Sequence, residues 1–70
     1  MKLTIALLQE HYEAHSYIEL ENGTILDLQS IGLLLKIHGA FKKESSREKF
    51  EQQLNTDLEF LVAWCWSKVA

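Results

Sequence analysis

No proline interrupts this chain. Proline is the strongest interior breaker of a helix, because it removes a backbone donor and its ring collides with the preceding turn. Without it, long helices are permitted, and only glycines and short polar residues remain to end them. The glycines number three. The chain therefore reads as helices divided by a few cap and turn signals.

The first segment runs from about Leu3 to Glu21. Leu3, Leu7, Ala14 and Ile18 share one helical face, and Ile5, Leu8 and Tyr12 share another. Asn22-Gly23 ends it, being a pair that tolerates positive φ. The second segment opens at Thr24, with Asp27 three positions on, a spacing that resembles a capping box, and it ends at Gly39. The third opens at Ser45, with Glu48 placed to reach back to it. Its stripe is Phe50, Leu54, Leu58, Leu61, Cys65 and Val69, which falls on one side of a helix. Asn55-Thr56-Asp57 divides this helix if Thr56 caps a second piece. The expected fold is an all-α bundle of three helices, or four with that break, in a single domain over residues 1–70.

The alternative is an α+β fold with a short hairpin around Asn22-Gly23, since Asn-Gly is also a strong hairpin signal. A two-residue turn pairs Leu20 with Ile25 but sets Glu19 against Leu26. A three-residue loop pairing Leu20 with Leu26 and Ile18 with Leu28 matches the apolar residues better. It leaves Gly23 in the middle of the loop, however, where such turns want glycine last.

A chain of 70 residues buries little core, and natural domains of this size add disulfides, a metal or a second subunit. Cys65 is the sole cysteine, so no internal disulfide forms. A lone thiol fits a reducing, cytoplasmic setting better than a secreted one. Hydrophobic residues at 47% and charged residues at 24% exclude a disordered composition. The apolar run after Lys2 stops at Gln9-Glu10, too early for a signal peptide, and no stretch has the length of a membrane span.

Catalytic and metal signals are weak. His11 and His15 are four apart, so a helix would put both imidazoles on one face as a pair of zinc ligands. Tyr12 stands where a metalloprotease helix needs glutamate, and no third or fourth ligand is evident. Cys65 lies between Trp64 and Trp66 within the apolar stripe and lacks a redox partner, so it reads as core. No spacing selects a nucleophile with its base, and there is no glycine-rich phosphate loop. The expectation is a protein without enzymatic activity, metal or cofactor.

The stretch Leu26-Asp27-Leu28-Gln29-Ser30-Ile31-Gly32-Leu33-Leu34 resembles the modification site of acyl and peptidyl carrier proteins. In these a serine opens a helix after an acidic residue or histidine and is followed by apolar residues. The resemblance implies a small helical bundle with a phosphopantetheine arm on Ser30. It departs from the pattern at Gln29, which replaces the acid.

Charge is divided along the chain. Residues 3 to 35 hold five acids (Glu10, Glu13, Glu19, Glu21 and Asp27) and no lysine or arginine. Lys36, Lys42, Lys43, Arg47 and Lys49 follow within residues 36 to 49. Either the two regions face each other or stand solvated, or they form a dipolar surface whose poles include Glu10, Glu13, Lys42, Lys43 and Arg47. A nucleic-acid-binding regulator using Lys42, Lys43, Arg47 and Lys49 is a further alternative. Glu44 and Glu48 interrupt that phosphate grip, and net charge is −3.

Apolar surface is in excess. The second segment has Leu28, Ile31 and Leu35 on one side and Leu26, Leu33 and Ile37 on another. In the third, Phe60, Trp64 and Trp66 lie off the main stripe, and tryptophan is enriched among binding hot spots. The functional expectation is a protein–protein interaction module, a small regulator or inhibitor. Its partner-binding residues are Phe60, Trp64 and Trp66, and the chain is expected to form a homodimer through the last helix.

Overall fold

The computed structural model describes residues 2–21 and 23–69. Among them lie four helices and one antiparallel pair of strands, in the order α1 (Ile5–Glu13), β1 (Ile18–Glu19), β2 (Ile25–Leu26), α2 (Leu28–Ala40), α3 (Glu44–Thr56) and α4 (Leu58–Val69). The chain is a small helical bundle carrying a short hairpin.

Thr4 starts α1, its hydroxyl accepting a bond from the Leu7 N–H at 3.1 Å. The helix does not continue to Glu21. It stops at Glu13, and His15 takes a left-handed φ of 57°. The His15 N–H donates to the Tyr12 carbonyl at 3.2 Å and the Ser16 N–H to the His11 carbonyl at 3.0 Å. This pair of bonds is the Schellman closure, here with histidine in the glycine position.

The hairpin uses a register that differs from both expected ones. Ile18 pairs with Leu26 and Glu19 with Ile25. The Leu20 N–H donates to the Thr24 carbonyl at 2.8 Å and the Gly23 N–H to the Leu20 carbonyl at 2.9 Å. Gly23, at φ 87°, therefore comes last in the loop, where a positive φ is wanted. Asn22 lies outside the described residues. The register sends Ile18 and Leu26 together into the core and leaves Glu19 and Ile25 outside.

Because residues 25 and 26 are strand, Thr24 does not cap α2. Asp27 does, its carboxylate accepting the Ser30 N–H at 2.8 Å. α2 packs against both α1 and α4 and buries Ile31 and Leu34. Leu33, Leu35 and Ile37 are half-buried against that core, so its neighbours cover most of this helix's apolar surface. Gly32 lets the Tyr12 ring of α1 lie on α2: a Cβ there would stand 2.8 Å from a ring carbon.

Ser45 does not cap α3 either. The helix begins two residues earlier than that cap implies, at Glu44, with Lys43 in the cap position and no side-chain cap bond. The corner before it is held by other means. Arg47 Nε donates to the Phe41 carbonyl at 3.1 Å, and the Phe41 ring meets Phe50 edge-on at 5.8 Å. The expected break in the last helix is present at Asp57, with φ −153° and ψ 66°. Thr56 is not its cap: the Thr56 hydroxyl donates back to the Gln52 carbonyl at 3.0 Å. The Asp57 carboxylate instead accepts the Phe60 N–H, at a long 3.4 Å.

The core is Leu3, Leu8, Ile18, Leu26, Ile31, Leu34, Phe50, Leu54, Leu61 and Cys65, with no buried polar residue among the described ones. Every element contributes. The stripe read from the sequence supplies four of these ten, while Leu58 is half-buried and Val69 is exposed. Asn55 closes the molecule, accepting from the Leu3 N–H at 2.7 Å and donating to the Leu3 carbonyl at 2.9 Å. No helix among the described residues is long and apolar enough to cross a membrane.

Candidate interaction surface

The early end of α1 separates the two histidines that spacing had placed on one face. His11 Nδ1 lies 3.1 Å from the Ser16 hydroxyl, and His15 Nδ1 lies 3.2 Å from the Tyr12 carbonyl, beyond the helix. Among the described residues no group of three or more His, Cys, Asp or Glu side chains is placed to hold a metal. Cys65 is fully buried, and burial pushes its thiol pKa up, away from the thiolate a nucleophile requires. Ser30 sits in the first turn of α2 and is half-buried. Its N–H, with its hydroxyl adding to the effect, serves the Asp27 carboxylate and holds that carboxyl below the usual aspartate range.

Among the described residues no ion pair joins the acids of residues 3 to 35 to the cations of residues 36 to 49. Glu10 and Glu13 are exposed on α1 and reach no cation among the described residues. Lys42 and Arg47 share a depression with His38, Glu44, Glu48 and Glu51, so acids lie among these cations. His38 Nε2 and Glu51 Oε2 are 3.2 Å apart within it. Lys43, in the cap position of α3, is exposed. Lys49 points away from that depression, toward α4. The four cations proposed for nucleic acid therefore do not line one depression.

The apolar residues of α4 are split between its flanks. Phe60 and Trp64, four apart, line one groove of about 310 Å³ between α3 and α4. Phe60 is 56% exposed, and Trp64 is half-buried against the core. Lys68 covers the Trp64 ring, its Nζ 5.0 Å from the ring centroid. The far wall is Phe41 with Ser46, Lys49 and Gln53 of α3, and Phe50 forms the floor. Trp66, 42% exposed, is absent from this groove. It lies about 160° around the helix from Trp64, given ~100° per residue. The three aromatics expected to act together thus form two surfaces. A second groove, of about 490 Å³, lies on the other flank between the hairpin, the start of α2 and α4. Its walls include Leu20, Ile25, Leu58 and Val62, with Asp57 and Glu59 at its edge.

Phe41 and Lys49 belong to the first groove and were not read as partners of Phe60. One signal was present: Phe41 is a lone aromatic between Gly39-Ala40 and Lys42-Lys43, in a stretch otherwise read as a loop. No protein-family model, curated protein or solved structure matches this chain.

Proposed function

We propose that the chain is a non-enzymatic interaction module, a small regulator or inhibitor that works by occupying a partner protein's surface. The observation behind this reading is Phe60. A large aromatic side chain 56% exposed, beside a half-buried tryptophan in a concave apolar groove, is the arrangement found at binding hot spots. The ten core residues are each 4% exposed or less within one chain, so the core has little need of a second copy to complete it, although Trp66 and Val69 of α4 stay exposed. A different protein is therefore the favoured partner, and a homodimer through α4 is the competing outcome.

The test compares two baits in extracts of the native host, the wild-type chain and Phe60→Ser. Because Phe60 is exposed, the substitution leaves the core intact, and circular dichroism should be unchanged. Truncating an interfacial aromatic costs roughly 2 kcal/mol or more, so retention of a direct partner should fall more than about tenfold. Retention that is indifferent to Phe60, or a wild type that retains nothing, defeats the reading. Sedimentation equilibrium of both proteins separates a foreign partner from self-association. Intact mass of the native protein addresses the carrier alternative, since an arm on Ser30 adds a fixed mass.

A further inference from the structure

The two grooves beside α4 differ in the sign of charge at their edges. The Phe60–Trp64 groove carries Lys49 on its α3 wall and Lys68 above Trp64, and among the described residues no carboxylate lines it. The acids of α3 (Glu44, Glu48 and Glu51) lie in the depression on the other side, with His38 and Arg47. A chain of net charge −3 thus presents a locally cationic, aromatic-walled groove. In the groove on the opposite flank, the charged lining residues are Asp57 and Glu59.

We infer that the groove between α3 and α4 binds an acidic amphipathic segment of another protein. A bulky apolar side chain of that segment sits between Phe60, Trp64 and Phe41, and its carboxylates face Lys49 and Lys68. This deepens the interaction-module reading and rests on it. The apolar anchor supplies affinity, and the flanking charges select the partner and speed encounter. Two cations beside a concave aromatic wall suit one anchored peptide turn, whereas nucleic acid needs a longer run of phosphate contacts. This chain's own acidic helix, with Glu10, Glu13 and the 47% exposed Tyr12, could enter the groove only from a second copy. Such a contact either repeats reciprocally about a two-fold axis or propagates head-to-tail, but the Tyr12 ring of α1 already lies against Gly32 of its own α2, so a foreign segment is the favoured occupant.

The test uses the full chain and a fluorescent synthetic peptide of roughly four helical turns, with leucine and phenylalanine on one face and glutamate elsewhere. A matched peptide carries lysine in place of glutamate. Anisotropy should show the acidic peptide binding at least about tenfold tighter than the basic one, with the difference shrinking as salt rises. Phe60→Ser and Lys49→Glu should each weaken the acidic peptide about tenfold, while Trp66→Ser, outside the groove, should not. Equal binding of both peptides, or binding of neither, overturns the inference. Full displacement of the acidic peptide by a single-stranded oligonucleotide overturns it in favour of nucleic acid. Concentration-dependent growth of the wild type that Phe60→Ser abolishes overturns it in favour of a second copy. If the basic peptide is preferred and Trp66→Ser or Glu59→Lys weakens it, the inference is overturned while the module reading survives, with its site on the opposite flank.

Discussion

His15 holds the left-handed backbone that closes α1, with φ at 57°. An L-residue there brings its Cβ close to the following carbonyl and costs roughly 1–2 kcal/mol, a cost glycine avoids. The exposed bond between His15 Nδ1 and the Tyr12 carbonyl, at 3.2 Å, offsets little of it. His15→Gly should therefore raise the unfolding free energy by about 1 kcal/mol, partly reduced by glycine's greater freedom when unfolded. Urea unfolding monitored by circular dichroism measures it; an unchanged or lower midpoint would mean that the histidine ring contributes more than its exposure suggests. The same residue shows a limit of spacing. Four positions between histidines imply a shared face only while the helix lasts. Histidine carries no sign that the chain will turn left-handed at it. Cys65 was legible, because its place in the stripe and its two large neighbours already marked it as core.

For whole elements, the apolar periodicity located helices better than polar residues located their ends. The stripe from Phe50 to Cys65 and the break before Leu58 were both legible. The caps were not: Ser45, Thr24 and Thr56 each have the right chemistry, yet Asp27 and Asp57 are used and Lys43 caps without a side-chain bond. Several short polar residues stand near each boundary, and tertiary contacts choose among them. The Phe41–Phe50 packing does so for α3, and the hairpin register does so for α2. That register followed from a rule already in hand, glycine last in the loop, once Leu20 is set opposite Thr24. Asp27 makes the α2 cap testable by pH. The Ser30 N–H lowers its folded-state pKa, so the cap's ionic contribution is complete above the unfolded value of about 4 and is lost as pH falls through the folded value. Asp27→Ala should cost about 1 kcal/mol at neutral pH. Asp27→Asn keeps the accepting oxygen and drops the charge, so its deficit against wild type should be small at neutral pH and shrink as pH falls through the folded-state pKa of Asp27. A deficit of equal size at pH 7 and at about pH 3 would show that the charge plays no part.

Across the whole molecule, contacts distant in the chain decide how much of the core is sealed. The sequence placed Asn55 beside a break and offered no partner for it. Its carboxamide in fact grips both backbone groups of Leu3, 52 residues away, at 2.7 and 2.9 Å. No periodicity or cap rule can find such a bond, since it exists only after the residues before α1 have met the end of α3. It matters because Leu3 is buried, so its N–H and carbonyl must find partners close to the core. Asn55→Ala removes a donor and an acceptor together and should cost about 1–2 kcal/mol. Asn55→Asp is the sharper substitution. It preserves the bond from the Leu3 N–H but turns a second oxygen toward the Leu3 carbonyl, where the amide had donated. At neutral pH that variant should be at least as unstable as Asn55→Ala. Below the carboxyl pKa of about 4 the protonated carboxyl of the same variant can donate again, and part of the loss should return. Urea midpoints for the two variants and wild type at pH 7 and about pH 3 measure this, with hydrogen exchange at the Leu3 amide reporting the local opening. If both substitutions leave the midpoint and the Leu3 exchange rate unchanged, the N-terminal residues are held by the burial of Leu3 alone and the clamp is incidental.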